Sequence, residues 1–587
     1  MDVLAQALDF IAQDPDGDPQ GVLGALVKRA GTGDAAAAAE LADRFSAPLT
    51  FGTAGLRGRV EAGLSRMNRV VVIHASHGLG QYLLANRALG AATRGVVIAF
   101  DGRYSSRQFA EDTAAVLCGL GIVVHLFDDP MPTPVCAFAV THLGSAAGVM
   151  VTASHNPPKD NGYKVYWENG AQIIPPHDVG IAACIAGAPK VGAITRPAPM
   201  DAVARGLRRA VPDTVLDAYL QGVRAASFHA DSKGPPLRLC YTAMHGVGAR
   251  CAVRVLRAAG FDGVAVVPSQ TDPDGAFRTV DFPNPEEKGA LDEAYRVANA
   301  SGAELILAND PDADRLAVAV KLEDGTWRQL SGNEVGILLA AHALEHGVVP
   351  AGAKRLVITT LVSSTFLSRM AANVGAAYAE TLTGFKWIAN EAIRRAAQGE
   401  AMVLGYEEAL GYSVGPLVRD KDGVGAAVRF AEMTRALKAR GQSIPARLDA
   451  LMVQHGASHG TSWNVVLPGR DGMAAIKGTM AALRKSPPAT LDGSPVVRTL
   501  DLEEGVEVAS DGVRKPAALP RSDVLQYHAQ DGTRLTVRPS GTEPKIKFYL
   551  ELTATVGNAG ELPAAREAMD ARSGRIRAAL KAALGVG

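Results

Sequence analysis

Three short segments of the chain hold residues whose types and spacing suit chemistry. The first is Thr152-Ala153-Ser154-His155-Asn156-Pro157-Pro158, running on through Asp160 and Gly162 to Lys164. A serine hydroxyl on a polar loop stiffened by proline is a candidate nucleophile, but a weak one until a base or a metal activates it. His155 is adjacent, and adjacent side chains seldom address the same atom. Alone, the segment also fits a Ser/Asn turn. The second segment is Asn309-Asp310-Pro311-Asp312-Ala313-Asp314-Arg315. Three alternating carboxylates offer hard oxygen ligands for Mg²⁺, which favours a few carboxylates plus phosphate or water oxygens. An EF-hand would need Gly where Arg315 stands and Glu where Lys321 stands, so that reading fails. A solvated acidic turn is the other reading, against which the cost of crowding three carboxylates counts.

The third segment is Arg538-Pro539-Ser540-Gly541-Thr542-Glu543-Pro544-Lys545-Ile546-Lys547. Hydroxyls, backbone N–H groups and flanking cations can hold a phosphate, and Arg can clamp two oxygens. A hairpin turn on a basic strand has the same composition. The chain contains no Gly-Lys dipeptide, which excludes a Walker A loop. Two weaker segments are Gly405-Tyr406-Glu407-Glu408-Ala409, whose carboxylates could accept from sugar hydroxyls, and Phe51-Gly52-Thr53-Ala54-Gly55-Leu56-Arg57-Gly58, a glycine-rich loop with one Arg.

The elements that must carry these loops follow a repeating unit of β-branched run, Gly/Asp/Pro loop and Ala-rich helix. Gly95–Phe100, Leu237–Thr242, Leu305–Ala308 and Lys354–Thr360 each read as a strand leading into a loop. Strands alternating with helices indicate α/β domains, and the unit recurs about three times before residue 460. Stretches 186–199, 323–331 and 455–462 read as linkers or domain joints. The last segment, with strands over 534–551 and an Ala/Arg-rich helix after them, reads as a smaller α+β domain. We therefore divide the chain into 1–200, 201–325, 326–458 and 459–587.

Composition limits the partners. The 587 residues suffice for about three to five domains. Lys+Arg and Asp+Glu are both 60, so the chain lacks the basic excess of a nucleic-acid binder. Aromatic residues are only 5%, too few for a base-stacking surface. Five cysteines without a C-x-x-C pair argue against a disulfide framework or zinc ribbon and for a reducing compartment. The sequence starts Met1-Asp2-Val3-Leu4, with no basic leader, and has no apolar run of 18 residues, so we expect a cytoplasmic protein without membrane contact.

Together and in this order, the five segments resemble the α-D-phosphohexomutase superfamily of phosphoglucomutases and phosphomannomutases. The resemblance runs from about Phe51 to Glu551. It is closest to the branch of bacterial phosphoglucomutases and phosphopentomutase-like enzymes, which shares Asn161-Gly162-Tyr163-Lys164, Phe282-Pro283-Asn284-Pro285-Glu286-Glu287 and Asp420-Lys421-Asp422-Gly423-Val424. It implies an α/β fold: three related α/β domains with mixed sheets plus a smaller C-terminal α+β domain around a central cleft. It implies that Ser154 is the phosphoserine and that Asp310, Asp312 and Asp314 hold Mg²⁺ with a phosphoserine oxygen. It assigns Lys164 to proton transfer, for which neighbouring cations would have to lower its pKa, and sets Arg57 and His155 beside the phosphoserine. Arg315 would stabilise the transferring charge. Arg538, Ser540, Gly541, Thr542 and Lys547 would hold the non-reacting phosphate, and Glu407, Glu408 and Lys386 would contact the sugar.

The implied reaction interconverts α-D-glucose 1-phosphate and glucose 6-phosphate through glucose 1,6-bisphosphate, in a monomer or small homo-oligomer. Two departures bear on the sugar. Phe385-Lys386 follows Gly384 where phosphomannomutases carry His, as in glucose-type enzymes. Ala409 replaces the usual Ser of the sugar loop, which makes a different hydroxyl pattern, a pentose included, more tolerable. Phosphomannomutase, phosphopentomutase and glucose 1,6-bisphosphate synthase are the alternatives. A non-catalytic sugar-phosphate sensor is disfavoured, because the nucleophile, the carboxylates and the phosphate loop are all present.

Overall fold

The structure is a computed structural model that describes residues 2–18, 21–51, 55–229, 234–466, 472–540 and 545–584. Four sheets organise the chain. The first has the strand order Leu56–Arg59, Asp160–Trp167, Ala147–Val151, Val96–Phe100, Val124–Leu126, Arg208–Ala210. The second runs Trp327–Gln329, Ala317–Lys321, Leu305–Ala308, Leu239–Thr242, Val264–Val266. The third runs Ala377–Thr381, Lys354–Thr360, Glu400–Glu407, Gly411–Val414.

The same four-strand motif lies inside all three. A first strand pairs in parallel with a second and a third, and a fourth folds back antiparallel on the third. The fold-back connections are 152–159, 309–316 and 408–410. The serine segment, the aspartate segment and the paired glutamates thus occupy one topological position in three successive units. This is the relationship among the three α/β units that sequence identity does not display. Ligand sites in such sheets form beyond the carboxyl ends of the parallel strands, where these connections begin.

Burial explains why the strands are legible. All five residues of Val96–Phe100 and of Ala147–Val151 are buried, as are all four of Leu239–Thr242 and Leu305–Ala308. Sheets covered by helices on both faces need such unbroken apolar runs. Each buried Val, Leu, Ile or Phe contributes roughly 1.5–3 kcal/mol. Helix starts are set locally: Ser331 and Glu334 form a capping box for Gly332–His346, and Asp422 caps Gly423–Ala439 through the Gly425 N–H.

The fourth sheet is antiparallel, with Ala457–Val466 paired to Lys545–Ala554, then Arg534–Pro539 and Leu525–Ala529. The helices Gly472–Lys485 and Leu562–Ala583 accompany it, giving the smaller α+β unit. Ahead of the first sheet, the helices Val3–Gln13, Val22–Gly31 and Ala35–Arg44 share a small core of Phe10, Leu23, Leu26 and Leu41 with Val70 and Ile73.

Two of the expected joints hold regular structure while lying between sheets. Residues 457–462 open the ten-residue strand Ala457–Val466 of the fourth sheet, and 323–331 contain the hairpin that ends the second sheet with Trp327–Gln329.

Candidate active site

Strand Ala147–Val151 ends at Thr152, whose Oγ1 accepts from the Ser154 N–H at 2.8 Å and donates to Asp101 Oδ2 at 2.7 Å. Ser154 is left-handed, with φ 51°. Such a conformation costs about 1–3 kcal/mol and persists only where the surroundings fix it. Here they do. The buried Arg103 guanidinium donates to the carbonyls of Ser154 at 2.7 Å, Asn156 at 2.6 Å, Pro157 at 2.7 Å and Asp160 at 2.9 Å. The turn brings two neighbouring side chains together, contrary to the expectation for adjacent residues: His155 Nδ1 lies 3.2 Å from Ser154 Oγ. The Ser154 hydroxyl donates to Asp310 Oδ2 at 2.7 Å. It has one proton, so His155 Nδ1 is then the donor to Oγ. Burial first, then Arg315 and Arg57, holds the His155 ring well below its usual pKa.

The aspartates are buried, which excludes a solvated acidic turn. One carboxylate oxygen from each of Asp310, Asp312 and Asp314 lies within 4.8 Å of the others. Ala313 between them is left-handed, with φ 55°. Burial and then repulsion from Asp312 and Asp314 push Asp310 well above the usual carboxylate range. Asp312 Oδ1 and Asp314 Oδ1 are buried without a hydrogen-bond partner among the described residues. Converging hard oxygens with unused lone pairs fit Mg²⁺. Asp310, Asp312, Asp314 and Ser154 Oγ are the atoms that would hold it.

Lys164 overturns one expectation. Its Nζ donates to Asp312 Oδ2 at 2.8 Å and Asp314 Oδ2 at 2.9 Å. Burial opposes its charge, but the two carboxylates outweigh burial and raise its pKa. Its pKa is moved up, where the resemblance called for a lowered one. Among the described residues, the lysine shifted downward is Lys386, by burial, with Asp178 opposing. It lies on helix Phe385–Ala396, lining a crevice with Phe51, Gly55 and Gln172.

Two residues not assigned from sequence complete the aspartate site. Thr133 Oγ1 donates to Asp312 Oδ2 at 2.6 Å, and Lys421 Nζ stands 3.1 Å from Asp314 Oδ2. Gly423 makes the second contact possible. A Cβ there would lie 2.2 Å from the Arg315 carbonyl, so only glycine lets this helix start press on the aspartate loop. Lys421 lies in the Asp420–Val424 segment, which was a usable signal. Thr133 had none.

The remaining assigned residues fall on the rims of the same region. Arg57, on strand Leu56–Arg59, donates to Asn156 Oδ1 at 2.8 Å. Arg315 stands 3.7 Å from Glu286, and its N–H donates to Asp310 at 2.9 Å. Glu407 accepts from the Gly384 N–H at 2.7 Å, and Glu408 from Ser363 Oγ at 2.9 Å. Burial, foremost, raises both glutamates. From the fourth unit, Arg538 donates to Thr383, the residue before Gly384. Lys547 is opposite Arg538 in the strand pair, and the Ser540 N–H donates to the Lys545 carbonyl at 2.8 Å. Gly541 and Thr542 lie outside the described residues. A cavity of about 360 Å³ opens where these units meet, lined by Glu286, Ser364, Glu408, Arg534 and Glu551 among others.

Three equivalent fold-back loops, one of them setting Ser154 beside the buried carboxylates of the next, and a fourth unit carrying cations make a four-unit α/β architecture. Comparison with known proteins gives the family. The chain matches phosphoglucomutase/phosphomannomutase α/β/α domain I over residues 48–191, domain II over 217–324, domain III over 331–455 and the C-terminal domain over 465–567. It belongs to this family, within the α-D-phosphohexomutase superfamily. It is 41% identical to a probable phosphoribomutase of Schizosaccharomyces pombe over 85% of this chain and 86% of that one. It is also 41% identical to a probable phosphomannomutase of Haemophilus influenzae, over 83% and 93%. The crystal structure of a phosphoglucomutase/phosphomannomutase family protein from Burkholderia thailandensis shares the fold, with TM-score 0.62 and 22% identity over 89% of this chain and 97% of that one. The protein is thus a phosphomutase, an isomerase-class phosphotransferase.

Proposed function

We propose that the protein moves a phosphoryl group between the anomeric and terminal oxygens of an aldose phosphate, with phosphorylated Ser154 as carrier. The observation that carries this reading is the Ser154 Oγ–Asp310 contact of 2.7 Å. It brings Ser154 of the first unit onto the carboxylates of the second, which supports a role for it as the phosphoryl carrier. Asp310, Asp312 and Asp314 would hold Mg²⁺, which when bound would supply Lewis-acid stabilisation of charge on the transferring phosphoryl oxygens.

The protein's own groups do the rest. Arg103 fixes the Ser154 backbone in its left-handed turn, so Oγ is aimed before substrate arrives. Neutral His155 donates to Oγ, and Arg57 braces the loop through Asn156. Arg315 adds positive charge beside the phosphoryl group. Glu407 and Glu408 accept from sugar hydroxyls. Arg538, Ser540, Gly541, Thr542 and Lys547 hold the spectator phosphate, whose binding orients the opposite end of the sugar. Lys386, shifted downward, is better suited than Lys164 to exchange a proton with a sugar hydroxyl. After the first transfer the sugar bisphosphate reverses in the cleft, and its other phosphate returns to Ser154. Glucose 1,6-bisphosphate then serves as both intermediate and activator.

We assign glucose 1-phosphate and glucose 6-phosphate as the substrate pair on the Phe385-Lys386 pattern. A pentose is the second reading. Ala409 removes a hydroxyl from the sugar loop, and the Schizosaccharomyces relative is described as a probable phosphoribomutase. Turnover of glucose, mannose and ribose 1-phosphates with Mg²⁺, with and without added bisphosphate, decides. Glucose leading, with ribose within tenfold, is expected. A large excess of mannose turnover overturns the assignment. Net bisphosphate production from an acyl-phosphate donor identifies a bisphosphate synthase instead.

A further inference from the structure

Three histidines cluster among residues that the phosphoryl-transfer site does not use. His342 and His346 are one turn apart on helix Gly332–His346, so they project from the same face. His229 approaches from the segment after helix Asp213–Ala225, at the start of the second unit. The three ring pairs have centroid separations of 4.9, 5.0 and 4.7 Å. One ring nitrogen from each residue lies within 4.8 Å of the other two. His229 Nε2 and His342 Nε2 are 3.0 Å apart. Tetrahedral Zn²⁺ with bonds of 2.0–2.1 Å needs ligand nitrogens about 3.3 Å apart. That pair is slightly closer than this, at hydrogen-bond distance, and the third nitrogen lies within 4.8 Å of both, so small side-chain adjustments would suffice for ligation. His346 Nε2 is buried without a hydrogen-bond partner among the described residues. The carboxylate of Glu345 stands 3.7 Å from it, near enough to serve as a fourth ligand or to orient a water there.

We propose that His229, His342 and His346 form a second metal site, selective for an imidazole-preferring divalent ion such as Zn²⁺. Three nitrogen donors suit late first-row ions, whereas Mg²⁺ prefers the all-oxygen aspartate cluster. The two sites therefore sort two classes of metal within one chain. The role is structural. The histidines come from stretches matched by different family domains, 217–324 and 331–455. Bound metal fastens the end of helix Asp213–Ala225 to helix Gly332–His346. Tyr219–Asp422 at 2.7 Å and Ser227–Glu432 at 2.7 Å already tie the same region to helix Gly423–Ala439.

The test is titration of the full-length, chelator-treated protein with ZnCl₂ alone, followed by calorimetry, in millimolar Mg²⁺ to fill the aspartate cluster. One Zn²⁺ per chain is expected, with a rise in melting temperature on binding. His346→Gln and His229→Gln each weaken binding at least tenfold and abolish the thermal shift. Both should leave the metal-free melting temperature and the Mg²⁺-supported turnover unchanged, which separates lost ligation from misfolding. Asp310→Asn leaves the Zn²⁺ isotherm unchanged. No saturable Zn²⁺ binding in excess Mg²⁺, or equal affinity in the wild type and both histidine variants, overturns the proposal.

Discussion

Lys164 Nζ donates to Asp312 Oδ2 at 2.8 Å, joining residues 148 positions apart and binding the first unit to the second. The ammonium sits among the carboxylates that would hold the metal, and so competes with it. Lys164→Met should bind Mg²⁺ more tightly, because no ammonium then competes for Asp312 and Asp314. Without metal, loss of the buried ammonium should destabilise the variant by up to about 3 kcal/mol, since Lys421 and Thr133 still reach Asp314 and Asp312, and Mg²⁺ should reverse that loss. Melting curves in chelator and in Mg²⁺ measure this, and identical curves in both contradict it.

Arg103 holds four carbonyls of the serine loop at once. Lysine keeps the charge but has no planar fork to reach them. Arg103→Lys should lower kcat about 10–10²-fold, with a smaller change in KM, because the aim of Ser154 relaxes by tenths of an ångström. Steady-state kinetics beside a far-UV spectrum distinguish this from unfolding.

Glu551 couples the fourth unit to the third. It accepts from Ser364 Oγ at 2.5 Å and from the Thr365 N–H at 3.0 Å, and pairs with Arg534 at 3.0 Å. Burial alone would raise its pKa, but Arg534 and these donors outweigh burial and lower it below 4.5. A depressed carboxyl stabilises the fold above its unfolded pKa, and that contribution is lost as pH falls through the folded value. The docking of the fourth unit should therefore weaken only below about pH 4.5. Glu551→Gln should cost about 3 kcal/mol at pH 7, with the gap to wild type closing in acid. Denaturant melts across pH 3–7 check both.

Ala409 stands beside Glu408 at the tip of the third fold-back turn. Ala409→Ser returns a hydroxyl there and should shift the ratio of hexose to pentose kcat/KM toward hexose by about 3–10-fold, the effect of one modest hydrogen bond. An unchanged ratio removes Ala409 from sugar selection.

How much of this was legible in the sequence follows from physical range. The buried strands and the Ser154, Asp310–Asp314 and Glu407 segments could be read because their signals are local: apolar runs, turn residues and clustered carboxylates. The shared position of the three fold-back loops depends on strand order, which no segment encodes alone. Thr133 meets Asp312 across 179 residues, and nothing near Thr133 sets it apart from any helix-starting threonine. The charge state of Lys164 has no local signal, because its partners come from another unit. The approach of His155 to Ser154 has none either, because it needs a positive φ, which non-glycine residues rarely adopt.

The central claim is that Ser154 carries the phosphoryl group between sugar oxygens. Incubating the protein with radiolabelled glucose 1,6-bisphosphate and Mg²⁺, then digesting and sequencing the labelled peptide, tests it directly. Label is expected on Ser154, chased off by unlabelled sugar monophosphate at a rate matching kcat and absent in Ser154→Ala. Label on another residue, or near-normal turnover in Ser154→Ala, contradicts it.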